Sequence, residues 1–299
     1  MSVLPLRSLL AVLVSVLLIG FVLWVSGVGS LTHRLGEFPV WGLVCMLALL
    51  LANVFLVSYR FWCVLDHFGI ELPWKVAFGA NISGSVAGLV VFPLFGQMMG
   101  RQSVLQRFGV PSVVNASLIA YERLLLALVS GILGTFGGIV LFGGSAVAEF
   151  FNKVALVEIG LAACGAVALS LWLGGSRFEK QLSRRTLSQA NFNRVMTITA
   201  LTFAGQMLML GSFVVGSLAL NPTLSIGPLF AASAIISFAA SMPITVGGWG
   251  ARELASVYVL GALGVSTTDA LAMSVVVGLC STLVILAPVP FCARNVSHA

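Results

Sequence analysis

The residues best suited to chemistry in this sequence are a few charged side chains within long apolar runs. Glu122-Arg123 lies inside one such run, and Arg252-Glu253 follows another. A charge at bilayer depth costs roughly 2.5–3.5 kcal/mol on insertion scales, so it normally faces the interior of a helix bundle and has a partner there. The planar guanidinium group of arginine fits a phosphate well. These pairs therefore predict either an anion-binding site or salt bridges that hold helices in register.

The members of each charged pair are adjacent in sequence. Neighbouring side chains on a helix point about 100° apart, so Glu122 and Arg123 are not expected to neutralise each other along one helix face. Cross-pairing is the economical hypothesis, with Glu122 contacting Arg252 or Arg123 contacting Glu253. If the protein moves a charged cargo, Glu122, Glu253 or Asp269 is a candidate proton carrier.

A glycine-rich segment directly precedes Arg252 and contains five candidate ligand-binding residues. They are Pro243, Gly247, Gly248, Trp249 and Gly250. Glycines that only allow close helix packing usually recur every four residues, whereas these are denser and are predicted to break a helix. The freed amides, with the N terminus of the next helix, would form an anion site. Trp249 is expected to stack on the ligand or to fill the tip of the segment.

A similar segment lies in the first half of the chain, where Pro93, Gly96 and Gly100 precede Arg101. The proline and the last glycine are seven residues apart in both segments. Each segment is followed by a Gly-Val turn and a long apolar run, which suggests an internal repeat. Arg101 is favoured as a topology anchor at the cytoplasmic rim, and ligand binding by Arg101 is the alternative.

The composition indicates a polytopic helical membrane protein. Hydrophobic residues make up 59% of the chain and charged residues 8%, with a mean hydropathy of +1.10. Soluble domains carry about 25% charged residues. The net charge of +6 comes from short loops rather than a basic face, so nucleic-acid binding is not expected. The five cysteines and three histidines show no metal-ligand spacing, and neither a metal nor a cofactor is predicted.

The apolar runs predict an all-α membrane bundle of about six full spans, since a span needs about 20 apolar residues. The predicted spans are residues 8–28, 38–58, 116–141, 154–173, 197–219 and 270–291. Stretches 76–99 and 229–250 are interrupted by Pro, Gly and Ser, and are predicted to be re-entrant or broken helices. Segment 252–265 is either a further short span or a helix within the bundle.

The loop charges orient this arrangement. With both termini in the cytoplasm, nearly all Lys and Arg residues fall on the cytoplasmic side, as the positive-inside rule requires. Stretch 76–99 then enters from the cytoplasmic face and stretch 229–250 from the opposite face. The chain is therefore predicted to be a single membrane domain, 1–299, with inverted repeat halves at about 38–141 and 197–291. Transporters commonly bind substrate between such paired interrupted helices.

Two motifs resemble a known family. Pro243-Ile-Thr-Val-Gly-Gly-Trp-Gly-Ala-Arg-Glu253 is similar to the P-x-x-x-G-G-x-G-x-R-E signature of the lysylphosphatidylglycerol synthase membrane-domain superfamily of flippase-like proteins. Phe92-Pro-Leu-Phe-Gly96 and Glu122-Arg123-Leu124 resemble its first half, although the usual motif there is Leu-Pro-Gly-x-x-Gly. The resemblance covers about 38–291. It implies a bacterial or archaeal inner-membrane protein that moves, or helps to move, lipids. The chain ends at Ala299, so the synthase half is not expected.

The leading functional hypothesis is a flippase-like transporter of an anionic lipid or a lipid-linked glycan precursor, with phosphate held between the two tips. The alternative is a membrane partner that does not transport but presents lipid to a separate cell-envelope glycosyltransferase. An intramembrane enzyme using Glu122 and Glu253 is less favoured, because each acid neighbours an arginine that stabilises its ionised form. No catalytic residue is therefore assigned.

Overall fold

The structure is a computed structural model, and it describes residues 33–90, 93–149, 189–241 and 249–290. All regular elements in these ranges are helical, which confirms the predicted all-α membrane bundle. The main helices are α1 (Val40–His67), α2 (Trp74–Val90), α3 (Pro93–Leu105), α4 (Ser112–Phe142), α5 (Gln189–Leu220), α6 (Ile226–Ser241), α7 (Ala251–Gly261) and α8 (Thr267–Leu286).

Four of these helices are long and apolar enough to cross a membrane: α1, α4, α5 and α8. They correspond to the predicted spans 38–58, 116–141, 197–219 and 270–291. The prediction ended the first of these too early, because Arg60 was read as a loop residue. In the structure α1 continues to His67, since Arg60 is buried and has an ionic partner. The predicted spans 8–28 and 154–173 lie outside the described residues.

Helices α2 and α3 form a tightly packed antiparallel pair. Gly96 of α3 lies against the backbone of Ala87 and Gly88 in α2, and Gly100 lies against the backbone of Ser83. The prediction placed Gly96 and Gly100 at a helix-breaking tip, which is wrong, because both lie inside α3; ligand binding by these residues stays a prediction. Pro93 begins α3, a position that proline favours, and both glycines lie inside the helix. Their open faces are covered by α2, because only glycine allows so close an approach of two backbones.

Helices α6 and α7 form the second short pair. Of the five predicted tip residues, Pro243, Gly247 and Gly248 lie outside the described residues. Gly250 has φ of 92° and precedes the first turn of α7. Segment 252–265, which the sequence left open, is helix α7 followed by a turn. The 11 residues of α7 span about 16 Å, which is too short to cross a bilayer core of about 30 Å.

The centre of the bundle is the antiparallel packing of α1 on α5, where Gly205 lies against Leu56 and Gly216 lies against Met46. One apolar core joins α1 to α2, α3 and α4, and a second joins α1 to α5, α6, α7 and α8. Together these cores place the α2–α3 pair and the α6–α7 pair on different parts of the central helices.

The order of two short helices between two long ones occurs twice, in α1–α4 and in α5–α8. Helices α1, α2, α3 and α4 can be matched in order with α5, α6, α7 and α8. Under this matching, most pairs of helices that pack together correspond to another pair that also packs together. Thus α4 packs on α6 as α8 does on α2, and α4 packs on α5 as α8 does on α1. The repeat halves 38–141 and 197–291 stay a prediction, and this packing is the pattern that such a repeat would produce.

Candidate functional site

The first candidate site is a buried group that we call the Glu122 cluster, formed by Arg60, Asn81, Arg101, Glu122 and Thr202. The side chain of Glu122 accepts hydrogen bonds from two arginines on different helices. Arg60 Nη2 donates to Oε1 at 3.0 Å, and Arg101 Nη1 donates to Oε2. Arg101 is 0% exposed, Glu122 4% and Arg60 7%. The carboxylate is therefore shared between two guanidinium groups inside the protein.

Helices α2 and α3 together position Arg101. Its Nη2 donates to Asn81 Oδ1 at 2.8 Å, and Asn81 Nδ2 donates to Ser58 Oγ at 2.9 Å. The guanidinium carbon lies 3.9 Å from the ring centroid of Phe61, a cation–π contact. The stem of Arg101 crosses the surface of α2 at Gly84, where any larger residue would meet it. The interpretation of Arg101 as an anchor at the cytoplasmic rim is therefore wrong.

Arg60 connects this cluster to the second half of the chain, because its Nη1 donates to Thr202 Oγ1 of α5 at 3.4 Å. Sequence reasoning missed Arg60, Asn81 and Thr202. A signal for Arg60 was present: the apolar run resumes directly after it at Phe61, so the charge lies within a longer run. Asn81 and Thr202 gave no comparable signal, since a single polar residue in an apolar helix is common.

The Glu122 cluster carries more positive than negative charge. Arg123 lies next to Glu122 on α4, donates to Gln97 Oε1 at 2.8 Å, and is within electrostatic reach of Arg101 and Arg60. Among the ion pairs of the described residues, Glu122 is the only acid that contacts any of these three arginines. The Nε atoms of Arg60 and Arg101 are buried and have no hydrogen-bond partner among the residues that the structure describes.

The second candidate site is the Glu253 cluster, formed by Trp249, Gly250, Arg252, Glu253 and Ser274. Arg252 Nη2 donates to Glu253 Oε1 at 2.6 Å, and Arg252 Nε donates to Ser274 Oγ at 3.1 Å. The Gly250 amide donates to Glu253 Oε2 at 2.6 Å, as in a capping box at a helix N terminus. Arg252 also lies over the Trp249 ring, 4.7 Å from its centroid. This cluster has one base and one acid and is neutral.

The predicted cross-pairing of the two charged pairs is wrong for the residues that the structure describes. Glu122 pairs with Arg60 and Arg101, and Arg252 pairs with its own neighbour Glu253. The neighbours Arg252 and Glu253 pair with each other because both lie in the first turn of α7. There Glu253 turns back to cap Gly250, and the long Arg252 side chain reaches the same oxygen atoms.

The two clusters lie at different depths in the bundle. Arg60 is seven residues, or about 10 Å, from the end of α1 at His67. Arg252 is nine residues, or about 14 Å, from the end of α7 at Gly261. An ion pair between Asp66 and Arg194, at 3.2 Å, lies at the first end of the bundle. An ion pair between Arg34 and Asp269, at 2.9 Å, lies at the other end. Each cluster is thus reached more directly from a different end.

A comparison with protein-family models gives one match, to the lysylphosphatidylglycerol synthase TM region, over residues 8–288. The chain belongs to the lysylphosphatidylglycerol synthase TM-region family. Comparison with curated proteins and with solved structures gave no match. Membership in the family makes the chain a membrane protein related to lipid-modifying or flippase-like functions, and both clusters lie inside its matched region.

Proposed function

We propose that the protein is a flippase-like membrane transporter of an anionic lipid or a lipid-linked glycan precursor. The observation that carries this proposal is the surplus of buried positive charge in the Glu122 cluster. Among the described residues, Arg60 and Arg101 are buried against one acid, Glu122, and the partly buried Arg123 lies beside them. Buried ionisable residues in membrane proteins are costly and usually mark a substrate or ion pathway. A surplus of arginine specifically favours a negatively charged cargo.

The Glu253 cluster is assigned a positioning role in this proposal. Its single arginine is already paired with Glu253 and Ser274, so an anion would gain little from it. By capping α7, it fixes the end of the segment that contains Gly247, Gly248 and Trp249. These residues remain candidates for contact with the lipid head group, as the sequence predicted, with Arg252 holding Trp249 in place.

In this proposal, the two short helix pairs form the transport pathway. With 17 and 13 residues, α2 and α3 are about 26 and 20 Å long, below the thickness of a bilayer core. We assign α2–α3 and α6–α7 as re-entrant pairs that enter from opposite faces of the inner membrane, with both chain termini in the cytoplasm. Rocking of the two halves would then expose the cargo to each face in turn.

Arg101→Gln tests the proposal, since it removes one surplus cation and leaves Glu122 paired with Arg60. The assay measures movement of fluorescent phosphatidylglycerol between the leaflets of proteoliposomes, by dithionite quenching. We expect the wild-type protein to translocate it and Arg101→Gln to be slower by about tenfold or more, as the loss of one charged hydrogen bond implies. Arg34→Gln, in a partly exposed ion pair at one end of the bundle, is the matched control.

Equal rates for Arg101→Gln and the wild-type protein would overturn the proposal. Absence of translocation by the wild-type protein, with stable co-purification of a glycosyltransferase, would favour the lipid-presenting role. The rate for a phosphatidylcholine analogue with the same fluorophore, measured in the same vesicles, shows how the charge of the head group affects translocation.

A further inference from the structure

We infer that the Glu122 carboxylate occupies, in the resting protein, the place of the cargo's phosphate group, and that Arg60 and Arg101 are the residues that bind this phosphate. The inference rests on the proposed function in one respect, namely that the cargo is anionic. It goes further by assigning the binding residues and by giving Glu122 the role of a displaceable substitute ligand.

The geometry of the cluster supports this assignment. Arg60 and Arg101 approach the two oxygens of one carboxylate from different helices, α1 and α3. A phosphate group offers more acceptor oxygens than a carboxylate and binds arginine in the same forked manner. It could therefore accept from the same Nη atoms and also from Nε of Arg60, which lies on the same side of the guanidinium as Nη2 and has no hydrogen-bond partner among the described residues. Such unsatisfied donors are costly, and a better ligand would satisfy them.

The balance of charge points in the same direction. Arg60, Arg101 and Arg123 lie together with a single acid, and the nearby partners Asn81, Gln97 and Thr202 are uncharged. An additional anion is therefore favoured electrostatically even while Glu122 remains ionised. The Glu253 cluster provides the contrast, because the Nε of Arg252 donates to both Glu253 and Ser274.

The packing provides a way for the substitution to occur. Arg101 and its partner Asn81 lie on α3 and α2, which contact each other through backbone at Gly96 and Gly100. Helix α3 is held to α4 by side-chain hydrogen bonds, among them Arg101 to Glu122, Arg123 to Gln97 and Asn115 Nδ2 to the carbonyl oxygen of Met98. In the exchange that we infer, the α2–α3 pair separates from α4 as a unit. That movement separates Arg101 from Glu122 and Gln97 from Arg123, and it opens Arg101 to an incoming phosphate.

The test is equilibrium binding of phosphatidylglycerol to the full-length protein in detergent, measured by native mass spectrometry. Phosphatidylcholine and inorganic phosphate are titrated in parallel. If Glu122 competes with the ligand, Glu122→Gln will bind phosphatidylglycerol about ten- to hundredfold more tightly than the wild-type protein, since a competing charged hydrogen bond is removed. Glu37→Gln, the same substitution at an exposed glutamate that pairs with Arg34 outside both clusters, is the matched control and should leave the affinity within about twofold.

A second variant removes a proposed phosphate-binding arginine instead of the competing acid. Arg60→Gln leaves Arg101 and Glu122 as a neutral pair, so the protein should remain folded but bind phosphatidylglycerol about tenfold more weakly or worse. If Glu122→Gln cannot be purified in a folded state, this variant decides the question. Glu122→Gln and Arg60→Gln could change the affinity for inorganic phosphate in the same way as they change the affinity for phosphatidylglycerol. That result would identify free phosphate, rather than a lipid head group, as the occupant of this site.

Three results would overturn the inference: unchanged or weaker binding by folded Glu122→Gln, an equal gain in Glu37→Gln, or wild-type affinity in Arg60→Gln. The proposed transport function can fail separately. Tight binding that responds to Glu122→Gln without any movement of lipid in vesicles would retain the site and reject transport.

Discussion

Replacement of Gly96 by alanine tests how the α2–α3 pair holds Arg101. A Cβ at Gly96 would overlap the carbonyl oxygen of Ala87 and lie 2.7 Å from the Cα of Gly88. Both are backbone atoms, so no side-chain rotation relieves the overlap and the helices must separate. Overpacking costs about 1–3 kcal/mol, whereas replacing glycine by alanine within a helix recovers roughly 0.5–1 kcal/mol. The clash therefore dominates, and a net loss of about 1–2 kcal/mol is expected.

Thermal unfolding of the purified protein in detergent, followed by circular dichroism, measures this loss. Gly88→Ala is the matched control, because a Cβ there lies 3.6 Å from its nearest neighbour, the carbonyl oxygen of Pro93. It should retain the wild-type Tm or raise it slightly through helix propensity. Gly96→Ala should lower the Tm and also slow lipid movement, since Arg101 is displaced with α3. If both variants had the same Tm as the wild type, the close backbone packing described for α2 and α3 would be refuted.

Three other substitutions have defined outcomes. Gly278→Ala should destabilise the protein by about 1–3 kcal/mol, because its methyl group would overlap the Arg252 guanidinium. Gly227→Ala, with nothing near its Cβ, is the control, and chemical unfolding of both variants checks the difference. Glu253→Ala should increase hydrogen exchange at the start of α7, since the cap on Gly250 and the partner of Arg252 are both lost; unchanged exchange would contradict the capping role. Arg194→Gln should change stability by less than about 1 kcal/mol, because both members of its ion pair with Asp66 are nearly half exposed; a larger loss of Tm would assign it a structural role.

Much of the fold was predictable because long apolar runs have one stable form in lipid, the α-helix. The four described spans were predicted from such runs, whereas segment 252–265, which contains most of α7, was left open between a short span and a helix within the bundle. The end of α1 was missed since Arg60 resembles the positive residue that commonly follows a span. Only its pairing with Glu122 in three dimensions explains why the helix continues through it.

The site was predictable in part. The sequence identified Glu122, Arg123, Arg252 and Glu253 as unusual, because charge in an apolar run is costly whatever its partner, but it favoured Arg101 as a topology anchor. It did not identify the partners, since these depend on helix packing: Glu122 meets residues 62 and 21 positions earlier in the chain. The role of Gly96 was also misjudged, because glycines that end a helix and glycines that admit a neighbouring helix look alike in a single sequence.

The most direct test of the account is lipid analysis of the protein purified from its native membrane in mild detergent. Mass spectrometry compares the lipids retained by the wild-type protein, Arg101→Gln and the control Arg34→Gln. The account predicts that one anionic, phosphate-bearing lipid is enriched over its membrane abundance in the wild type and in Arg34→Gln, and is lost from Arg101→Gln. The same lipid profile in all three proteins would contradict the assignment of the Glu122 cluster as the site for an anionic lipid.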